Sequence, residues 1–423
     1  MNDASQRKPN VVVLGGGFAG LEAIFYLRKR LGRHVDLTLV SDTPEFHFKP
    51  NTIYIPFGKD PDRFVVDLRQ AMDKRQIRLS IARATGVDPG AKRVTTTTEQ
   101  LAYDYLLIAT GASMREAEIP GLAEHAVTIW TPAQMLAMRE GLQRLIDKAA
   151  AGSEQKLVFM VPPGNKCAGP LYELVLMTDT WLRRKGVRER VAITYATYET
   201  SYIAAFGPRL HEVVVREFDK RQITGHVGTR VRGVEAGSLR FEDGLQLGFG
   251  LLVSFPPYVA STRYEGLPMD ERGFIATQST TRQVVDHPDV YAIGDAGDFP
   301  VKQAFLAMLQ ADAAAEHIAQ RVLGEHPNAR FDPVSMCIME QLDTATFAHV
   351  PLQETGDPAH PVAVREDRPD LYRVGTSEAW RVGKKLLGTV LPARFRAGQP
   401  FHAGATWAAM EAGLGVMSGL FAD

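Results

Sequence analysis

Val11-Val12-Val13-Leu14-Gly15-Gly16-Gly17-Phe18-Ala19-Gly20 is the stretch whose reading decides the fold. Residues 10–14 are a β-branched run of the kind that fills a strand buried on both faces, and it runs without a break into G-x-G-x-x-G. From Gly20 to Leu31 good helix formers follow with helical spacing. A second strand, Val35–Val40, then ends at Ser41-Asp42, where a dinucleotide-binding unit places the group that bonds a ribose hydroxyl, so Asp42 is the expected acid. Taken alone the glycine fingerprint is weak evidence. Strand, fingerprint, helix, strand and acid in this order carry the assignment, with Gly15, Gly17 and Gly20 as the site.

Length and composition bound what surrounds this unit. At 423 residues and 45% apolar content, the chain has room for about two or three globular domains. Its 48 Lys and Arg against 49 Asp and Glu create no global field to gather nucleic acid or an anionic membrane surface. The start, Met1–Lys8, lacks the apolar core of a secretory signal, and no stretch approaches the ~20 apolar residues of a spanning helix. The expectation is a chain made in the cytoplasm that does not cross a bilayer. Two cysteines, Cys167 and Cys337, are too few for a disulfide framework and have no metal-binding spacing, so no metal is expected. Two inert, buried thiols are the plainest reading of such a pair.

Two later strands complete the first domain. Tyr103–Gly111 ends in Ala-Thr-Gly and Asp289–Ala296 in Gly-Asp, and both resemble motifs of the two-dinucleotide-domain flavoproteins. That resemblance implies FAD as the cofactor, with Thr110, Gly111, Gly294 and Asp295 beside it. Between them, Lys156–Val161, a helix over 172–185 and Val191–Tyr195 read as a second unit of the same kind. Its turn, Pro162-Pro163-Gly164-Asn165-Lys166-Cys167-Ala168-Gly169-Pro170, lacks the paired glycines that let a backbone approach a pyrophosphate, so a nicotinamide site there reads as disabled. The expected fold class is α/β, with two Rossmann-type domains, the second inserted in the first, plus a C-terminal membrane-associating region. The expected FAD domain is 1–114 with 285–330, the inserted domain 115–284 and the third region 331–423.

Cys167 falls at the strand-to-helix turn of the inserted domain, where helix dipoles and Lys166 are expected to favour its thiolate. Cys337 follows the helix Ala304–Leu323, in a segment able to return across the first domain. The segment 166–173 (KCAGPLYE), Glu45–Pro50 (EFHFKP), Val301–Phe305 (VKQAF), Ser335–Met339 (SMCIM) and Phe395–His402 (FRAGQPFH) resemble those of the sulfide:quinone oxidoreductases, over nearly the whole chain. The resemblance implies that Cys167 and Cys337 form a redox disulfide pair beside FAD and that Glu173 is an acid/base. It also implies that Lys302 faces the reduced flavin, and that Lys49 and Pro50 contact the cofactor. Hydrosulfide is a good nucleophile toward a disulfide sulfur, which gives the pair a chemical rationale. The chain departs from the family where it commonly carries a third cysteine and two histidines: Trp130, Gln134 and Ala205 fall there, which puts the sulfur substrate and product length in doubt.

In the tail, Trp407, Met410, Leu414, Met417 and Phe421 make one apolar helical stripe, suited either to a membrane surface or to docking on the chain's own domain. The family implies a membrane quinone as electron acceptor, and Phe347, Phe395 and Phe401 are candidates to line its slot, with core packing as the alternative for each. The expected partners are therefore sulfide, a quinone and the lipid bilayer surface, at the cell membrane as a peripheral protein, with room for a homo-oligomer and no nucleic acid. Competing readings are a type II NADH:quinone oxidoreductase, the flavin subunit of a flavocytochrome sulfide dehydrogenase, and a non-catalytic flavoprotein that binds sulfur species.

Overall fold

The computed structural model describes residues 7–358 and 360–422. The start of the polar N-terminal stretch therefore lies outside the described residues. Strand Asn10–Leu14 is the centre of the first sheet, pairing in parallel with Asp36–Ser41 on one side and Tyr105–Ile108 on the other. Arg78–Ile81 extends the sheet beyond Asp36–Ser41, while His287–Ala292 joins Tyr105–Ile108 from far along the chain. Val11, Val12, Val13 and Leu14 are fully buried because helices Phe18–Leu31 and Ala304–Leu323 cover one face of the sheet and the small antiparallel sheet of Ala84–Asp88, Arg93–Thr96 and Gln100–Ala102 covers the other.

The fingerprint glycines act by close approach. Gly15 has φ +104°, and a Cβ there would lie 2.3 Å from the Ala109 carbonyl oxygen. A Cβ on Gly20 would lie 1.9 Å from the carbonyl oxygen of Gly15 itself, so helix Phe18–Leu31 can sit this tightly on its strand only with glycine there. That helix packs along Ala304–Leu323, which follows the Gly-Asp strand.

A second parallel sheet runs in the spatial order Val127–Thr128, Leu251–Ser254, Gln155–Val161, Val191–Thr197, Ile223–His226. It lies between the Ala-Thr-Gly strand and the Gly-Asp strand in sequence. The chain leaves the first sheet through Ala112–Met114 and returns through Tyr258–Ala260, and these two strands pair antiparallel at the crossing. An antiparallel third sheet follows, with Ala345–Glu354 paired to Val334–Glu340, Val362–Val364 and Arg373–Ser377. Its first strand lies against helix Gly169–Arg184 of the second domain. Helices Glu378–Arg396 and Ala405–Phe421 end the chain. Among the described residues no helix is long and apolar enough to cross a membrane.

Candidate active site

One cavity of about 540 Å³ runs from the fingerprint to both cysteines. Gly15 and Gly17 line it, as do Asp42 and the segment 45–53 with Lys49 and Pro50. Thr110, Gly111, Gly294, Asp295 and Lys302 form more of its wall, and Cys167, Glu173 and Cys337 complete it. Gly20 lies behind the wall, holding helix to strand. Residues read from five separated parts of the sequence are thus brought to one space by the two sheets and the third-sheet strand.

The cavity suits FAD. Helix Phe18–Leu31 begins at Gly17 with no side chain capping it, so its first N–H groups are free to meet an anion, and a Cβ on Gly17 would meet no protein atom within 4 Å. This is where a pyrophosphate would be held. Asp42 stands at the exposed end of the strand, 3.8 Å from Arg83, with its carboxylate open to a ribose. Asp295 is pushed above the usual carboxylate range by burial, partly offset by Lys302 and Lys49. Burial pulls Lys302 down to about 7 and Lys49 to about 8, against the attraction of Asp295 on each. Lys302 donates to the carbonyl of Gly297, and Lys49 sits 3.2 Å over the ring of Trp130, the residue at the position of the missing third cysteine. Gln134 instead caps helix Pro132–Ala150, accepting from the N–H groups of Trp130 and Thr131. Ala205 lies in the short turn Ala204–Phe206.

At the second domain's turn the Cys167 N–H already has a side-chain partner. Cys167 N–H donates to Asn165 Oδ1 at 2.8 Å, and the Asn165 amide donates to the carbonyl oxygens of Phe255 and Pro256. The turn faces the first domain's cavity through Cys167, Gly169 and Pro170.

The expected thiolate at Cys167 is not what this environment favours. Burial drives its thiol far above the ordinary value, and the nearby Cys337 and Asp295 add to the rise, while the helix end contributes only a small lowering through Gly169 N–H. Lys166 is itself pulled below the ordinary lysine value by burial, with Asp270 opposing and Arg272 adding to the fall. Burial likewise pushes Cys337 up to about 12, with Glu173 adding to the rise and Lys384 opposing it. Both cysteines are free thiols here.

Glu173 is buried, and its carboxyl lies above the usual range because of burial, although Lys384 and the Glu340 N–H pull it back. Lys384 donates to Glu173 and, at 2.8 Å, to the carbonyl oxygen of Ile338, next to Cys337. The Glu340 N–H donates to Glu173 at 2.6 Å, and the Glu340 carboxylate accepts from Tyr54 Oη at 2.7 Å and Arg381 Nε at 2.6 Å. Lys384 was not singled out in the sequence, but a signal was present: Trp380, Lys384, Leu387, Leu391 and Phe395 share one helical face, and a lysine in an apolar stripe calls for a partner. Lys384→Met should destabilise the protein by about 3–5 kcal/mol by leaving Glu173 buried and uncompensated. The double variant Glu173→Gln/Lys384→Met should recover much of that loss in denaturant unfolding; equal losses would show that the pair is not coupled.

The three candidate aromatics part company. Phe401 lines the cavity. Phe347 stacks on Trp380 at 4.0 Å, and Phe395 packs against Phe25 and Phe46, so both are core residues away from the cavity wall.

Residues 9–159 match the family model of the pyridine nucleotide-disulphide oxidoreductases. The sulfide-quinone reductase of Aquifex aeolicus is 31% identical over 240 residues, which are 55% of this chain and 54% of that protein. The chain thus spans about half the length of this relative. A type II NADH:quinone oxidoreductase of Staphylococcus epidermidis is 23% identical over 347 residues, 76% of this chain and 84% of that one. The crystal structure of the Aquifex aeolicus sulfide:quinone oxidoreductase superposes with a TM-score of 0.82 at 21% identity, covering 96% of this chain and 95% of the other, which establishes the shared fold. Residues 9–159 thus carry the likeness to the pyridine nucleotide-disulphide oxidoreductases, and the chain as a whole shares its fold with the sulfide:quinone oxidoreductase structure.

Proposed function

We propose that this protein oxidises sulfide at a Cys167–Cys337 redox pair and delivers two electrons through FAD to a membrane quinone, leaving sulfane sulfur or polysulfide. The observation that carries this reading is the single cavity in which both thiols and the fingerprint glycines share a wall. When bound, FAD supplies a two-electron acceptor for the dithiol and a donor to the quinone.

The chain's own residues account for the sulfur steps. With the pair oxidised, hydrosulfide attacks one Sγ; the Sγ–Sγ bond breaks, a persulfide forms on the attacked cysteine and the other sulfur leaves as thiolate. That thiolate takes up a proton, because both sites favour the thiol at neutral pH. Glu173, with its raised carboxyl beside Cys337, is placed to hold and pass that proton, and Lys384 fixes its orientation. Departure of the sulfane sulfur to a second hydrosulfide leaves a dithiol, and its oxidation back to the disulfide releases the two electrons.

Anaerobic titration tests the reading directly. Sulfide should bleach the flavin band without NADH, and a soluble quinone should restore it. A flavin that stays oxidised with both cysteines intact would overturn it. NADH should reduce the flavin poorly, since Asn165 already binds the backbone of the turn that a nicotinamide dinucleotide would need; rapid reduction by NADH would favour the NADH:quinone reading instead.

The tail supports membrane attachment by the face opposite most of the stripe read from the sequence, whose last residue, Phe421, is itself 43% exposed. Trp407, Met410, Leu414 and Met417 pack half-buried against the chain's own cores. On the outside Val416 is 65% and Leu420 70% exposed, with Val382 and Leu386 exposed on the preceding helix. Glu411 is the helix's single charged residue, so a large apolar surface faces outward. Val416→Glu/Leu420→Glu should abolish cosedimentation with lipid vesicles while leaving FAD content and sulfide-driven bleaching unchanged; undiminished vesicle binding would locate attachment elsewhere.

A further inference from the structure

Opening a Cys167–Cys337 bond leaves one sulfur as thiolate, and the two sites are unequally equipped to receive that charge. At Cys337 the ammonium of Lys384 opposes the effect of burial. At Cys167 the neighbouring Cys337, Asp295 and Glu173 all act against a charge, and the Gly169 N–H acts for it. A buried thiolate needs donors, because burial has removed the water that would otherwise bond it.

Tyr258 stands in the wall of the same cavity and is only 2% exposed. Its segment is lashed to the turn that carries Cys167. Tyr258 N–H donates to the carbonyl oxygen of Gly164 at 3.0 Å, and the Asn165 amide donates to the carbonyl oxygens of Phe255 and Pro256 at 2.9 and 3.2 Å. The oxygen of that amide accepts from the Cys167 N–H, so the Asn165 side chain sets both segments at once. The Tyr258 ring is fixed in turn, edge-on to Trp130 with centroids 5.6 Å apart and tilted against Phe255 at 5.5 Å.

The hydroxyl on this ring is unexplained by packing. Tyr54 and Tyr172 spend theirs on Glu340 and Glu199, whereas that of Tyr258 has no hydrogen-bond partner among the described residues. The unpartnered hydroxyls of Tyr103, Tyr195 and Tyr264 are sealed within protein, but that of Tyr258 opens to the cavity. Charge on Cys167 acts on this phenol, ahead of Asp295. Burial and those two charges push the phenol well above its ordinary value, so at neutral pH it is a donor.

We propose that the Tyr258 hydroxyl is the hydrogen-bond donor to the sulfur of Cys167 while that sulfur carries charge, a catalytic role within the sulfide oxidation proposed above. No bond to Tyr258 forms or breaks. As the Sγ–Sγ bond opens with Cys167 as the leaving sulfur, the electron pair stays on that sulfur and the O–H turns toward it until a proton arrives. Turning a hydroxyl about its C–O bond costs little, and the aromatic wall of Trp130 and Phe255 keeps the bond in a low-dielectric setting where a charge-assisted hydrogen bond is strong.

The inference rests on the sulfide reading for its catalytic consequence, so its test has one arm that needs no sulfide. In the FAD-loaded Cys337→Ser protein Cys167 is a lone thiol, and its alkylation by iodoacetamide at about pH 8.5 tracks its thiolate fraction. Adding Tyr258→Phe should slow that alkylation by about 10-fold or more, the worth of one hydrogen bond to a charged group. In the second arm, Tyr258→Phe in the otherwise unchanged protein should slow anaerobic bleaching by sulfide by about 10- to 100-fold. FAD content and melting temperature should stay at wild-type values, since the hydroxyl has no partner to lose. An unchanged rate in either arm overturns the proposal, and so does loss of flavin or a lowered melting temperature, which would make the hydroxyl a structural group. A wild-type protein that sulfide fails to bleach, with the alkylation difference intact, would defeat the sulfide reading and leave Tyr258 as the donor to Cys167.

Discussion

Sulfide should leave the flavin of a Cys337→Ser protein oxidised, with the rate of bleaching falling by at least about 10³-fold against wild type, as when a member of a catalytic unit is removed. The argument rests on electron balance. Without a second sulfur no Cys167–Cys337 disulfide exists, so hydrosulfide has no S–S bond to break and no sulfur of the pair can leave. The substitution is otherwise mild. Serine is smaller than cysteine, Cys337 is only half-buried, and the strand pairing of residue 337 with Ala348 is backbone to backbone. FAD content and unfolding should therefore stay near wild type, which separates loss of chemistry from loss of fold. Cys167→Ser should match it. A Cys337→Ser protein that still bleaches at the normal rate would remove this cysteine from the reaction and leave the disulfide mechanism without support. Glu173→Gln should be less severe and should change the pH profile, because the pair would remain and only the proton carrier would be lost.

Gly20→Ala should cost the protein its flavin altogether. A methyl group 1.9 Å from the Gly15 carbonyl oxygen cannot be relieved by turning a side chain, because the Cβ is placed by the helix backbone and the oxygen belongs to the backbone of the turn. Helix Phe18–Leu31 must move outward, opening the turn that would hold the pyrophosphate and loosening its packing on Ala304–Leu323. Overpacking of this kind costs about 3 kcal/mol or more. The purified protein should contain less than about a tenth of the wild-type FAD and should unfold at a lower temperature. Gly17→Ala is the informative contrast. Its φ of −89° suits alanine and its Cβ meets no protein atom, so the fold should survive while cofactor affinity falls, because the methyl group points into the space a phosphate would use. Equal melting temperatures for Gly20→Ala and wild type would show that the close helix–strand contact carries no such load.

These two predictions draw on different layers of information. Residues 10–20 specify their own local structure, since a buried β-branched strand, three glycines and a helix allow few backbone paths. The Ala-Thr-Gly and Gly-Asp strand ends were legible for the same reason: each is a strand followed by a turn whose backbone must come close to something. The second turn reads from the sequence by its lack of paired glycines, and in the structure Asn165 accepts from the Cys167 N–H within it.

Other properties depended on what lies near in space, and sequence distance hides that. Lys166 stands beside Cys167 in the chain and yet does not figure among the groups that shift its thiol, whereas Lys384, more than 200 residues from Glu173, is the cation that reaches that carboxyl. The thiols favour their protonated form because desolvation outweighs a neighbouring helix end, and desolvation is a product of packing. Phe347 and Phe395 had the right chemistry for a quinone slot but are held in core stacks, while Phe401 reaches the cavity. In the last helix the spacing showed an apolar stripe without showing which way it turned. Apolar side chains occur on both faces, and only the cores beneath Trp407 and Leu414 decide that one face docks and the other remains outside. The sequence by itself determined the strand-turn-helix and the positions of the reactive residue types; the tertiary structure decided their protonation, their partners and which surfaces remain free, because those depend on burial and on contacts between residues far apart in the chain.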